Sequence, residues 1–574
     1  MVIKQISSTR KLLLALGSLL LTLNATAAPT AKSYLIEAHG AAGAAGAAGA
    51  VRRVGGRITH ELPIIDGVSA LLTPAQAARL RKSAELVVIP DMPVSTDALA
   101  ANMTGAPLSS VTANVLAAIA PDIYQQTLVG ANQLAAEGIN GAGVVVAVVD
   151  SGILSGNRFL NQDLNGNNRV LAQYDAIHNA LVDATHSYVS SVQDLYGHGT
   201  HITSLILSSN NVDPVLDGQT QGIAPMAKLI SVKAFDNSGA GSYSNVLNGL
   251  NWVLTNKSTY GNIRVVNLSF GAPPQSYYWN DPIDQAVMKL WHAGIVVVAS
   301  AGNFGPSPMS VSVPGNTPYV ITVGAMTDNW NPNSSVGWGV TSFSSAGPTF
   351  EGFVKPDVVV PGGHLAGLMD KSQYLAATYP QFATGIYDLF VMSGTSQAAG
   401  VTTGMVALML QANPNLTPDQ VKCRLTNSAS ALLNANGKSA YSIFQQGAGI
   451  ANAYNAVNSQ AANCANQGLN ITADIAGTAH YGGPARQNAS TGTYYVVGST
   501  GAALGNDGYL WNRTFAKSLG YLSTQGYLWN QGYLWNQGYL WNQGYLWNQG
   551  YLWNQSTLAP ASTVAASESW NSQE

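Results

Sequence analysis

Charge is what this chain has least of. Only 9% of its 574 residues are Asp, Glu, Lys or Arg, well under the usual quarter or so. Solubility must lean instead on Asn, Gln, Ser, Thr and Gly. The formal net charge is −3, which argues against nucleic acid as a partner, since that needs a basic surface. The charges are unevenly spread. Residues 1–27 carry Lys4, Arg10 and Lys11 and no acid, residues 28–96 carry seven Lys/Arg and five Asp/Glu, and the remainder is acidic. Cysteine is nearly absent too, with Cys423 and Cys464 alone. That excludes a Cys-x-x-Cys zinc or redox site and leaves one disulfide or two free thiols. There is no His-Glu-x-x-His and no Gly-x-Ser-x-Gly, so a zinc-peptidase helix and an α/β-hydrolase elbow have no support. After Leu12–Leu23 no stretch is long and apolar enough to span a bilayer.

Hydrophobic residues make up 46%, enough for a large core, and the length exceeds one ordinary domain. Lys4, Arg10 and Lys11 precede the apolar run Leu12–Leu23, which ends at Ala25-Thr26-Ala27. That order reads as an export signal over residues 1–27, so the chain is expected outside the cell or on its surface. Residues 28–96 read as a small α+β unit: strand-like Tyr34-Leu-Ile, a helix from Thr73 to Ser83, and strand-like Leu86-Val-Val-Ile. The Ala-Ala-Gly repeat at 41–49 reads as a flexible insert within it. Residues 97–120 read as a linker.

From residue 121 onward, apolar runs alternate with helical patterns. Val144–Val149 is apolar throughout, as a buried parallel strand is, and Val265–Leu268, Ile295–Ala299 and Val320–Gly324 read as three more. Helices fit 198–208, 244–256, 281–292 and 396–411. This rhythm gives an α/β fold with a mostly parallel sheet and helices on both faces. Its site is expected at the carboxyl ends of the strands.

Three glycine-rich phrases carry the chemistry: Val149-Asp150-Ser-Gly, Gly-His198-Gly-Thr-His, and Ser-Gly-Thr-Ser396. A fourth, Ala-Gly-Asn303, lies between the last two. A serine hydroxyl needs a base to act as a nucleophile, a base needs an acid to hold its tautomer, and a tetrahedral intermediate needs donors for its oxyanion. Asp150, His198, Ser396 and Asn303 supply that set. Ser396 would open an Ala-rich helix, where free N–H groups lie. Each residue also has a plain structural alternative as a strand end, helix start, N-cap or turn. It is their joint order that argues for chemistry.

These phrases resemble the subtilisin-like (subtilase) serine proteases over roughly residues 121–460. The resemblance implies a subtilisin-like three-layer fold and a serine endopeptidase acting on polypeptides, with no cofactor required for chemistry. It also implies that residues 28–96 are an inhibitory propeptide, a partner cut from the same chain. Gly239, Gly241, Ser269, Phe270 and Gly271 match the segments that pair with an extended peptide in this family. Structural calcium is compatible with the family, and Asp163-Leu-Asn165-Gly-Asn167 has oxygen groups at alternate positions as calcium loops do, though its terminal Glu is missing. One departure is clear. The run after the nucleophile is Gln397-Ala-Ala-Gly400-Val, where subtilases usually read Met-Ala, a small residue and Pro. Gly400 puts helix rigidity and subsite shape in question.

Residues 461–507 are polar and carry no legible fold. Gly-Tyr-Leu-Trp-Asn-Gln then begins at 526, 532, 538, 544 and 550, with a near copy at 508–513. A six-residue period on a strand puts Tyr and Trp on one face. The repeats over 508–556 read as a surface or polysaccharide contact, a β-array or a low-complexity tail, and 557–574 as a terminal tail. They also frame the competing reading: an exported adhesion or matrix protein whose protease fold is inactive.

Overall fold

A computed structural model of the chain describes residues 30–96, 125–210, 222–329, 335, 337–385, 388–434, 439–497 and 503–505. The signal, the linker, the hexapeptide repeats and the C-terminal tail lie outside the described residues.

The N-terminal unit is a four-stranded antiparallel sheet. Its strands are β1 (Lys32–Ala38), β2 (Arg57–Leu62), β3 (Gly67–Leu72) and β4 (Leu86–Pro90), in the order β2-β3-β1-β4. Helices α1 (Gly43–Arg53) and α2 (Pro74–Leu80) cover one face. Thr73 caps α2 through a capping box with Gln76, which fixes where that helix starts. The Ala-Ala-Gly repeat is not a loop, because it forms most of α1. Ala47, Ala48, Ala50 and Val51 are buried against the sheet. Packing overrides the weak helix preference of glycine.

The opposite face of β1 presents Ser33, Leu35 and Glu37 to the larger domain, by strand alternation. There Leu35 joins the large core, Ser33 Oγ donates to Asp91, and Asp66 pairs with Lys289 at 2.8 Å. A fifth strand, β5 (Pro93–Thr96), leaves the unit and crosses into that domain.

The larger domain is built on a nine-stranded sheet. Its parallel strands run in the order β7 (Val170–Asp175), β9 (Lys228–Lys233), β6 (Val145–Asp150), β11 (Ile263–Leu268), β13 (Val296–Ser300), β14 (Ile321–Thr327), β16 (Val358–Pro361). β8 (Ala180–Asp183) and β15 (Gly339–Val340) add antiparallel edges. β6, β11 and β13 contain no exposed residue, as their largely apolar sequences lead one to expect. Four helices flank the sheet: α3 (His198–Leu207), α4 (Tyr243–Thr255), α5 (Pro282–His292) and α6 (Thr395–Ala412). α4 and α5 pack together beneath the N-terminal unit, and α3 packs with α6.

α6 is buried from Thr395 to Leu410. Gly400 does not weaken it visibly, since the helix is continuous through that position. A Cβ at Gly400 would lie 3.3 Å from Ile202 Cγ2, and one at Gly404 only 2.5 Å from Ile223 Cβ and 3.2 Å from the Ile206 carbonyl. The glycines are where α3 and its neighbour come closest to α6. After α6, Cys423 and Cys464 form a disulfide with Cα atoms 5.1 Å apart. The polar segment that follows, illegible in sequence, is docked. Asp474 accepts from the Tyr278 hydroxyl at 2.6 Å and the Tyr319 hydroxyl at 2.9 Å.

Gly404→Ala should destabilise the fold by about 1–3 kcal/mol through overpacking, and Gly400→Ala by clearly less. Denaturant unfolding of the two variants checks this. Equal losses would contradict the glycine contact as described.

Candidate active site

Asp150 is the last residue of β6, and His198 is the first residue of α3. His198 Nδ1 lies 2.8 Å and 3.0 Å from the two Asp150 carboxylate oxygens, with both side chains buried. With Nδ1–H donating to Asp150, the neutral ring keeps Nε2 as its basic nitrogen. This approach depends on glycine. A Cβ at Gly199 would overlap the Gly152 carbonyl oxygen and come 3.2 Å from Asp150 Cβ. Gly199 N–H also donates to Ser151 Oγ at 2.9 Å, and Ser151 N–H to Asp150 Oδ1 at 2.7 Å.

Sequence reasoning missed the group that builds this turn. Asp194 Oδ1 accepts from the N–H groups of Tyr196 and Gly197, and Oδ2 from the N–H and hydroxyl of Thr200. Its carboxylate thus satisfies first-turn donors of α3, whose N-cap is a glycine with no side chain to do so. The signal was present as an acid a few residues ahead of a helix that lacks a capping side chain. One turn along α3, burial pushes His201 down to about 3. Its Nε2 meets the Phe390 carbonyl at 3.0 Å, so His201 is a structural histidine.

Ser396 lies in the first turn of α6. Gly400, four residues on, meets Ile202, four residues after His198; Gly404, eight on, meets the carbonyl of Ile206, eight after His198. The two helices therefore run side by side in step. Their first turns, which carry His198 and Ser396, therefore lie at the same end of the pair. Ser396 is further held by a buried chain of hydrogen bonds. Thr403 Oγ1 donates to Asn267 Oδ1 at 2.9 Å, Asn267 Nδ2 to Ser269 Oγ at 2.8 Å, and Ser269 Oγ to the Ser396 carbonyl at 3.0 Å. Ser396 Oγ in turn donates to the Ser269 carbonyl at 3.3 Å.

Asn303 follows β13 and is buried. Its Oδ1 accepts from the Thr395 N–H at 2.8 Å and the Thr395 hydroxyl at 2.9 Å. An N–H donor can only face the amide oxygen, so this pair fixes the amide and leaves Nδ2 to donate elsewhere. Nδ2 lies 3.4 Å from where a Gly394 Cβ would be, beside the turn that carries Ser396. Gln397, where a Met usually stands, is buried, and its Nε2 has no hydrogen-bond partner.

The two segments expected to bind substrate are occupied by the chain itself. β10 (Ala240–Ser242) and β12 (Phe270–Gly271) flank β5, which pairs antiparallel with both. Val94 lies opposite Gly241, Ser95 opposite Gly271, and Thr96 opposite Phe270. Thr96 N–H donates to the Gly239 carbonyl at 3.1 Å. Ser269 thus contributes its backbone to the cleft and its side chain to the support of Ser396.

The Asp163 loop does not fit a cation. Asp163 Oδ1 accepts from the N–H groups of Asn165 and Asn167, and Oδ2 faces Lys228 at 3.4 Å. Among the described residues, no group of three or more His, Cys, Asp or Glu could hold a metal.

A family model described as the subtilase family matches residues 141–449. The chain belongs to the subtilase family. This subtilase is 36% identical over 326 residues to serine protease AprX of Bacillus subtilis, covering 56% of the chain and 68% of that protein. It is 34% identical over 314 residues to subtilisin E of the same organism, covering 54% and 67%. The crystal structure of fervidolysin from Fervidobacterium pennivorans, a keratinolytic enzyme related to subtilisin, is similar with a TM-score of 0.55. There the sequence identity is 24%, and the match covers 76% of this chain and 62% of that one, so it speaks for the fold alone. The protein is a subtilisin-like serine protease.

Two substitutions test this geometry. Gly199→Ala should lower kcat by about 10²-fold, the scale of a misplacement near 1 Å, with far less effect on KM; kcat within twofold of the parent would contradict it. Gln397→Met removes an unsatisfied buried amide and should raise stability by about 1–2 kcal/mol. A lower melting temperature would show that the amide has a partner.

Proposed function

We propose that the subtilase is an exported endopeptidase made as a self-inhibited zymogen. The supporting observation is β5: the chain's own N-terminal unit fills the groove between β10 and β12 as an added strand. That is how an extended peptide would bind, with backbone bonds giving affinity and alternate side chains giving preference.

The chemistry follows from the side chains alone. Ser396 Oγ attacks the peptide carbonyl carbon as its proton passes to His198 Nε2. Asp150 holds the imidazole in the required tautomer and stabilises the imidazolium. The new oxyanion accepts from Asn303 Nδ2 and the Ser396 N–H at the α6 N-terminus. The C–N bond then breaks, and His198 gives its proton to the leaving amine. Water, deprotonated by His198, attacks the acyl-enzyme; the proton returns to Ser396 Oγ and the acid product leaves. Gly239, Gly241, Phe270, Gly271 and the Ser269 backbone line the substrate strand. The subtilisin oxyanion asparagine is a worked case in general accounts of this effect, with a loss of about 10²–10³ in kcat. By family analogy Asn303→Ala should fall in that range.

A fluorophosphonate tests the reading directly. It should label the processed wild type and leave Ser396→Ala unlabelled. A processed wild type that takes no label would favour the adhesion or matrix reading. The mature N-terminus should fall after Thr96, within residues 98–124. A start upstream of Thr96 would contradict β5 as the strand that enters the cleft.

The docked unit also carries a pH dependence. Glu37 sits against α5, its Oε1 enclosed without a hydrogen-bond partner. Burial, then Asp281, pushes its carboxyl up from 4.5 to about 8; Lys289 opposes and Asp66 adds. The docked form therefore holds a proton that the released form loses. Docking weakens as pH rises from about 4.5 to about 8, by at most about tenfold per unit. Release of the cleaved unit should accelerate over that window, and Glu37→Gln should flatten the profile. An unchanged slope in Glu37→Gln would assign the effect elsewhere.

A further inference from the structure

The register of β5 shows which side chains the cleft reads, and one wall of it comes from a residue outside the expected substrate segments. Along β5 the burial alternates: Pro93 is exposed, Val94 buried, Ser95 half-buried and Thr96 buried. Thr96 lies opposite Phe270. For a substrate strand bound in this antiparallel register, the position after the one opposite Phe270 falls opposite Ser269, whose carbonyl accepts from the Ser396 hydroxyl. The position beside the nucleophile is thus one beyond Thr96. Thr96 then occupies the second place before the scissile bond, P2, and Val94 the fourth, P4.

At P2 three groups converge. A Cβ at Gly239 would lie 2.5 Å from Tyr196 Cε1 and Cζ, and 2.9 Å from Thr96 Oγ1. The Tyr196 phenol therefore closes the space into which the Thr96 side chain points. Thr96 is only 1% exposed, and its side chain meets the Tyr196 phenol. Tyr196 cannot easily give way. Its ring stacks on Tyr374, with centroids 5.8 Å apart. It packs with Met369, Leu375, Phe390 and Met392. Its N–H is held by Asp194 at 3.0 Å, and its carbonyl accepts from Leu375 N–H at 3.0 Å. Behind it stand the paired strands β17 (Leu365–Leu368) and β18 (Leu389–Met392) and the segment between them.

Resting on the endopeptidase reading, we propose that Tyr196 is a specificity-determining residue that restricts P2 to small β-branched side chains. Size sets the preference. A branched or aromatic P2 longer than Thr meets the phenol, which is fixed by its stack.

Cleavage of a peptide library with Val held at P4 tests the proposal on the processed enzyme. We expect kcat/KM at P2 to be at least about tenfold lower for Leu and Phe than for Val or Thr. Tyr196→Ala should raise the Leu and Phe substrates relative to Val, and Tyr196→Phe should keep the wild-type size limit. Should Tyr196→Ala disturb the His198 turn, Tyr374→Ala loosens the same wall from outside the catalytic loop and should relax P2 in the same direction. A flat P2 profile in the wild type, or no relaxation in either alanine variant, overturns the proposal. Fluorophosphonate labelling of the same samples separates the two levels. Labelled enzyme with a flat profile sinks the Tyr196 assignment alone, whereas absent labelling and cleavage sinks the endopeptidase reading beneath it.

Discussion

Two helices lie so close that side chains must be missing between them. α3 carries His198 and α6 carries Ser396. They touch in step at Gly400 with Ile202 and at Gly404 with Ile206. A third glycine, Gly199, brings the start of α3 onto the end of β6, where Asp150 waits. Asp150, His198 and Ser396 come from elements far apart in sequence, and three positions without a Cβ let those elements pack this closely. The unusual Gly400 therefore does positive work in this chain. It costs some helix propensity and allows the close contact between α3 and α6.

Around this point the protein spends buried polar groups on position. Asn303 gives its amide oxygen to Thr395 and so commits its nitrogen. Asp194 spends both oxygens on the α3 turn. The chain from Thr403 through Asn267 and Ser269 to the Ser396 carbonyl runs entirely in the core. Fully paired networks of this kind rigidify, since any broken member leaves a desolvated partner behind. The same rigidity reaches the cleft wall, because the loop that presents His198 also presents Tyr196. Residues 194–200 thus tie the His198 turn to the wall beside β5.

Much of this was legible in the sequence. Valine-rich runs marked β6 and β13, because a strand buried on both faces is largely apolar, and β11 and β14 were legible despite Asn267 and Thr322 within them. The four phrases around Asp150, His198, Asn303 and Ser396 stood out by local composition, and the structure sets Asp150 against His198 and Asn303 against Thr395, beside Ser396. What stayed hidden depended on packing. The Ala-Ala-Gly repeat looks like a loop until a sheet face covers Ala47, Ala50 and Val51. Nothing local marks Lys422 as a buried residue, yet its ammonium donates to the carbonyls of Pro318, Tyr319 and Val320. Lys355 is likewise buried on Asp357 at 2.8 Å. Tyr196 was passed over because its role requires Gly239, Thr96 and Tyr374 to meet, and no spacing rule connects them.

A crystal structure of the fluorophosphonate adduct would test the central claim most directly. The account predicts phosphorus on Ser396 Oγ, with the phosphonyl oxygen within hydrogen-bond reach of Asn303 Nδ2 and the Ser396 N–H, and His198 Nε2 beside the adduct. An adduct on another residue, or one whose oxygen turns away from Asn303 while His198 stands clear of it, would contradict the convergence on which the enzyme depends.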